Sequence, residues 1–127
     1  MYLRLASVPL LLLFVTFQSQ GDLFRKHYEA ANNYHRAKNY AAAEGEFKII
    51  LGEAYRRLGK VYSAQGSYQA SVGALEAANV TRPSSTSDLL DLSIAYFHIG
   101  QFAKGVEPLQ RVIAAEPRNA AAHHMLG

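Results

Sequence analysis

One interval governs this chain. Leu58, Leu92 and Leu126 are spaced by 34 residues, and so are Tyr62 and Tyr96, Gly66 and Gly100, Pro83 and Pro117, and the aromatic pair Tyr68 and Phe102. Five position classes sharing one register do not arise by chance. A fixed period of this length marks a chain assembled from stacked supersecondary units, each too small to bury its own apolar face, rather than one built around a single central core.

The residue types within the period predict two helices per unit. Tyr55, Leu58 and Tyr62, and again Leu89, Leu92 and Tyr96, recur at the first, fourth and eighth positions and so fall on one helical stripe. Gly66 and Gly100 follow that helix, where a left-handed residue ends it at little steric cost. Tyr68 or Phe102 then opens a second helix, whose stripe continues through Leu75 and Ala78, or Leu109 and Val112. Gly59, Ser71 and Gly105 are small because two helices must cross closely there, and Pro83 and Pro117 stop the second helix. The expected fold is all-α, an α-solenoid of stacked antiparallel helix hairpins.

The same residues resemble the tetratricopeptide repeat, whose pattern runs W-x2-L-G-x2-Y, then A-x3-F, then P. Tyr55 and Leu89 stand for the Trp, Ser71 and Gly105 for the small Ala, and Leu75 and Leu109 for the Phe. The resemblance reaches back to Phe24. It implies a right-handed superhelix in which the first helices of successive hairpins line a groove that receives an extended peptide or a partner helix. On this register residues 52–85 and 86–119 are full units. Residues 24–51 form a shortened one, with Tyr34, Tyr40, Ala43, Phe47 and Ile50 at the matching positions, Lys38 in place of the turn glycine, and a first helix over roughly 24–36. That unit is about six residues short, because Phe47-Lys48-Ile49-Ile50-Leu51 runs into Gly52 without a Pro-containing loop. The reading favours a tight break at Leu51-Gly52 over one fused helix. Residues 120–127 reproduce the start of a further unit, with His123 at the core Trp position and His124 on the surface. The array then reads as cut mid-helix, which leaves self-association through its C-terminal end as one expectation.

Residues 1–21 differ from the rest. Arg4 supplies a basic start, and Leu5 to Phe17 is an apolar run interrupted by Pro9 and shorter than the ~20 residues that cross a hydrocarbon core. Ser19 and Gly21 place small residues at a cleavage site before Asp22. A signal peptide is expected, with an uncleaved anchor as its alternative. In either case the body is addressed outside the cytosol, to periplasm or exterior, and touches a membrane only through this segment.

Composition narrows function by exclusion. Half the residues are apolar and 18% charged, as in a folded chain. The net charge is only +3, and Arg25-Lys26 and Arg56-Arg57 are the only adjacent basic pairs, so no nucleic-acid footprint is expected. The absence of cysteine removes disulfides, thiolate metal sites and a thiol nucleophile. His123 and His124 diverge by about 100° on a helix and cannot share an ion as an i, i+4 pair would. His98 lacks an acid in its turn, and Ser84-Ser85-Thr86-Ser87-Asp88 reads as a loop and helix cap rather than as a nucleophile. No catalytic residue, cofactor or metal is expected.

Function is therefore expected in a groove that binds a protein or peptide. By the resemblance, groove-facing positions are Arg25, Tyr28, Asn32 and His35 in the first unit, then Glu53, Arg56, Arg57, Lys60 and Ser63. In the third unit they are Leu90, Asp91, Ile94 and Phe97. The strongest candidates are Tyr28, Asn32, Arg56, Lys60, Leu90, Ile94 and Phe97. Leu90, Ile94 and Phe97 make a second apolar face on their helix, either covered by the next hairpin or forming a groove floor beside the cations Arg56 and Lys60. Tyr28 and Asn32 depart from the Lys and Asn of the family's carboxylate-clamp variety, so that clamp is not expected. The expected function is an exported, non-enzymatic interaction scaffold. The alternative is the accessory amino-terminal region of a longer exported enzyme.

Overall fold

The computed structural model describes residues 7–127, with side chains from residue 21. The described residues are all-helical: α1 (Ser7–Arg36), α2 (Tyr40–Ala64), α3 (Tyr68–Thr81), α4 (Thr86–His98), α5 (Phe102–Ala115) and α6 (Ala120–Leu126). The apolar run at 5–17 falls outside the residues whose side chains are described. α1 is continuous across the Gly21–Asp22 bond and ends at Arg36, where the repeat register ends the first helix. No helix among the described residues is long and apolar enough to cross a membrane.

The repeat shows itself most directly in the turns. Lys38, Gly66 and Gly100 adopt φ of 59°, 75° and 76°. At each one the same pair of backbone bonds closes the helix. Lys38 N–H reaches His35 C=O and Asn39 N–H reaches Tyr34 C=O; Gly66 and Ser67 repeat this to Ser63 and Tyr62, and Gly100 and Gln101 to Phe97 and Tyr96. This is the Schellman arrangement, which satisfies carbonyls that a helix end leaves orphaned. Two of the three left-handed residues are glycine. Lys38 adopts the conformation despite its Cβ, with Asn39 capping the next helix by accepting from Ala42 N–H.

The expected break at Leu51-Gly52 is absent, because α2 runs unbroken from Tyr40 to Ala64. No proline or left-handed residue interrupts it. Gly52 is needed for proximity instead: a Cβ there would stand 2.3 Å from Thr81 Oγ1 at the end of α3. A glycine inside a helix costs about 1 kcal/mol relative to alanine, far too little to force a turn.

Two compact units share the chain, one through Ile50 and the other Leu51–Gly127. In the first, Ala31 and Ala43 are buried where α1 meets the start of α2, flanked by a His27–Glu46 pair and an edge-on contact of Tyr28 with Phe47.

In the second unit, α3, α4, α5 and α6 pack in sequence, each on the next. One core cluster joins Val72 and Leu75 of α3 to Leu92, Ala95 and Tyr96 of α4. Another joins Leu89 of α4 to Leu109 and Val112 of α5 and Ala122 of α6. The helix crossings use the expected small residues. Ser71 Oγ donates to Gly59 C=O at 2.8 Å, and a Cβ on Gly59 would lie 2.7 Å from Leu75 Cγ. In the next hairpin the partners exchange, with Ser93 fully buried and bonded to Leu89 C=O, and Gly105 against the Phe97 ring. The Tyr96 hydroxyl donates to Glu76; burial and that carboxylate push the phenol up to about 12, so it stays neutral. α5 holds its helix through a buried Pro108.

Candidate partner-binding face

The candidate residues of the first unit lie on α1. Arg25 is exposed and pairs with Asp22 at 2.7 Å. Tyr28 is 56% exposed, Asn32 half-buried, and His35 sits edge-on to the Tyr40 ring.

In the second unit the candidates divide into those that the fold has used and those left available. Arg56 belongs to the first group. Its side chain is only 11% exposed; Nε donates to Asp88 at 2.6 Å and an Nη donates to Glu53 at 2.8 Å. Glu53 also accepts from Arg57 at 3.0 Å. Asp88 is held from its own side by a capping box: its carboxylate accepts from the Ser85 backbone and hydroxyl, while Ser85 Oγ accepts from Asp88 N–H. Burial pushes the Asp88 carboxyl up, but the Ser85 bonds and Arg56 outweigh it and hold the group below its usual range. Glu53 is depressed in the same way, with burial opposed by Arg57 and Arg56. The charge of Arg56 therefore fastens α2 to the start of α4.

Leu90 and Phe97 are also committed. Both pack against the cluster of Leu89, Leu109, Val112 and Ala122, and the Phe97 ring lies over Gly105 with Phe102 beside it. Of that apolar face, Ile94 remains the most open, at 36% exposed. The groove floor expected from all three residues is thus mostly core, covered by the following helices.

Lys60 and Asp91 remain available. They approach only to 4.0 Å, with Lys60 half exposed, and they line a shallow cleft of about 450 Å³ with Ser63, Ala64 and Ser87. Burial and the neighbouring Asp88 raise the Asp91 carboxyl, and Lys60 only partly offsets this. A loosely matched cation and a destabilised carboxylate can each take a new partner, which the tightly held Arg56 cannot.

Sequence reasoning missed two features. Asp88 was legible as part of a helix start, but its bond to a residue 32 positions earlier was not. Tyr68 stacks flat on His98, with centroids 3.9 Å apart and planes 3° apart, beside a second recess of about 630 Å³ lined by Gly66, Ser67 and Ile99 among others. The 34-residue period offers no signal for that stack, since the position 34 residues before His98 is Ala64. His123 was expected in the core; it is exposed, with Nε2 2.8 Å from Pro117 C=O. Ala122 takes the buried place in α6 instead.

No protein-family model matches the chain, and no curated protein matches it.

Proposed function

We propose that this chain is a tetratricopeptide-type interaction module, a short solenoid of helix hairpins that holds a partner protein or peptide and performs no chemistry of its own. The observation that carries this reading is the cleft at Lys60, Ser63 and Asp91, between two first helices of successive units, with Ile94 exposed one turn beyond. Lys60 and Asp91 offer complementary charges to the termini, backbone or side chains of an extended segment, and Ile94 offers an apolar contact. Such grooves gain specificity from a few placed polar groups rather than from area. Arg56, locked to Asp88, acts in this reading as the clip that holds the cleft's walls in register.

The apolar run at 5–17 supports the further proposal that the module acts outside the cytosol. Fusing residues 1–21 to a reporter tests that separately; retention of the reporter in the cytosol would remove it.

Affinity capture with the wild type and with a Lys60→Glu, Ile94→Asp double variant tests the groove. Loss of the wild type's partners, with helicity unchanged, is the expected result. Identical partner lists would overturn the assignment.

A further inference from the structure

The repeat allows each residue of one hairpin to be compared with its counterpart in the next, and one comparison fails to match. Leu92 and Ala95 of α4 are 6% and 0% exposed, packed against Val72 and Leu75 of the preceding second helix, α3. Their counterparts 34 residues earlier are Leu58 and Val61 of α2, which are 39% and 51% exposed. Leu51, two turns before Leu58 on the same face, is 47% exposed. The face that the repeat buries in one unit stands open in the unit before it.

The covering helix in the mismatched case would be the second helix of the shortened unit, residues 40–50. Its residues that correspond to Tyr68 and Leu75 of α3 are Tyr40 and Phe47, and these are also open, at 61% and 43%. Cover and covered are both exposed for one reason: they belong to a single unbroken helix, and a helix cannot lie alongside itself. The missing loop of about six residues is what would have let one half fold back on the other.

A second copy of this chain removes the conflict. We propose that the protein forms a two-fold dimer in which two α2 helices run antiparallel, with Tyr40 and Phe47 of each covering Leu58 and Val61 of the other. Antiparallel pairing is required, because successive helices of a hairpin array alternate in direction. The pairing is reciprocal, as a two-fold interface demands: each copy supplies one cover and one open face. Transferring the contact of Leu75 with Leu92 to Phe47 and Leu58 places the axis near Gly52, at the midpoint between them. This interface is distinct from the C-terminal end of the array and from the Lys60 cleft, and it does not depend on the proposed function.

The chain has no cysteine, so engineered thiols report without background. Full-length Phe47→Cys and Leu58→Cys variants, mixed and oxidised, are expected to give mainly the 47-to-58 heterodimer rather than either homodimer. Sedimentation of the wild type is expected to show a dimer, and Leu58→Glu, Val61→Glu is expected to shift it to monomer with unchanged far-ultraviolet circular dichroism. A wild type that stays monomeric at the highest attainable concentration would overturn the proposal. So would a dimer whose thiols link 47 to 47 and 58 to 58 as readily as 47 to 58. The cross-linking keeps its force even where the double glutamate variant does not fold.

Discussion

The hairpins at 51–81 and 86–115 follow one pattern, yet their exposed surfaces differ sharply. Both end their first helix in the same Schellman turn, and both cross their helices at one glycine and one serine. The later hairpin has a helix on each side and buries Leu92, Ala95, Leu109 and Val112. The earlier one buries Val72 and Leu75 but leaves Leu58 and Val61 open. A repeat sequence therefore specifies what a face can pack against, while the neighbouring unit decides whether it is packed. Stability in such helices resides in their interfaces as much as in the helices themselves.

The largest expected effect tests this directly. Leu92→Ala should cost about 2–5 kcal/mol, as large-to-small changes in a closed core do. Its counterpart Leu58→Ala, at dilutions where the chain is monomeric, should cost less than about 1 kcal/mol. Urea unfolding of both variants measures the gap; equal losses would mean that the two faces are equally buried. Next comes the position where the units carry Ala54 and Asp88. Asp88→Ala removes a capping box and a buried partner of Arg56, for an expected loss of about 2–3 kcal/mol. The reverse change, Ala54→Asp, falls on an exposed position and should stay within about 0.5 kcal/mol of wild type.

The crossings come third. Gly59→Ala drives a methyl into Leu75, which is only 3% exposed and has nowhere to go; overpacking of this kind costs about 1–3 kcal/mol. Gly105→Ala meets the edge of the half-buried Phe97 ring, which can turn aside, so its loss should be the smaller of the two despite the shorter approach.

Acid provides a fourth contrast. Asp88 and Glu53 titrate below their unfolded values, so their contribution is present above those values and is lost as pH falls through the lower folded ones. Asp91 is raised and acts in the opposite sense: its contribution is present below the ordinary aspartate value near about 4 and is lost as pH rises through the higher folded value. With two groups against one, the wild type should weaken on acidification below about pH 4. Arg56→Met should flatten that limb, because Asp88 without its cation gains from protonation; urea midpoints from pH 3 to 6 would show it. The smallest effect is at Lys38. Replacing it with glycine should stabilise the first turn by about 0.5–1 kcal/mol, since only the left-handed Cβ strain is relieved.

Much of this fold was legible in the sequence. The glycines at 66 and 100, the prolines at 83 and 117 and the stripes through Leu92 and Leu109 set the helices of the second unit. Lys38 was placed at its turn by register alone, although its residue type argues against that conformation. What sequence could not supply was three-dimensional choice. Gly52 looks like a turn because close helix contact and left-handed backbone both call for glycine, and only the position of Thr81 separates the two. Arg56 looks like a free cation because its partner Asp88 lies 32 residues further on, at the start of α4. Phe97 and Ile94 look equivalent on a helical wheel, yet Gly105 opens a seat for one and not for the other.

The exchange of glycine and serine between the two crossings has a consequence for how such a chain can change over generations. Gly59 faces Ser71 in one hairpin, whereas Ser93 takes the first-helix place and Gly105 the second in the next. What the two crossings hold in common is a combined side-chain volume, divided in opposite ways. Passing from one division to the other by single substitutions requires an intermediate with either two glycines or two serines. Two glycines leave the crossing loose but sterically sound, whereas a second serine in place of Gly59 adds a Cβ and an Oγ where Leu75 leaves no room. Drift between the two forms is thus channelled through the emptier intermediate, and sibling hairpins can diverge at both positions while each keeps one glycine and one serine.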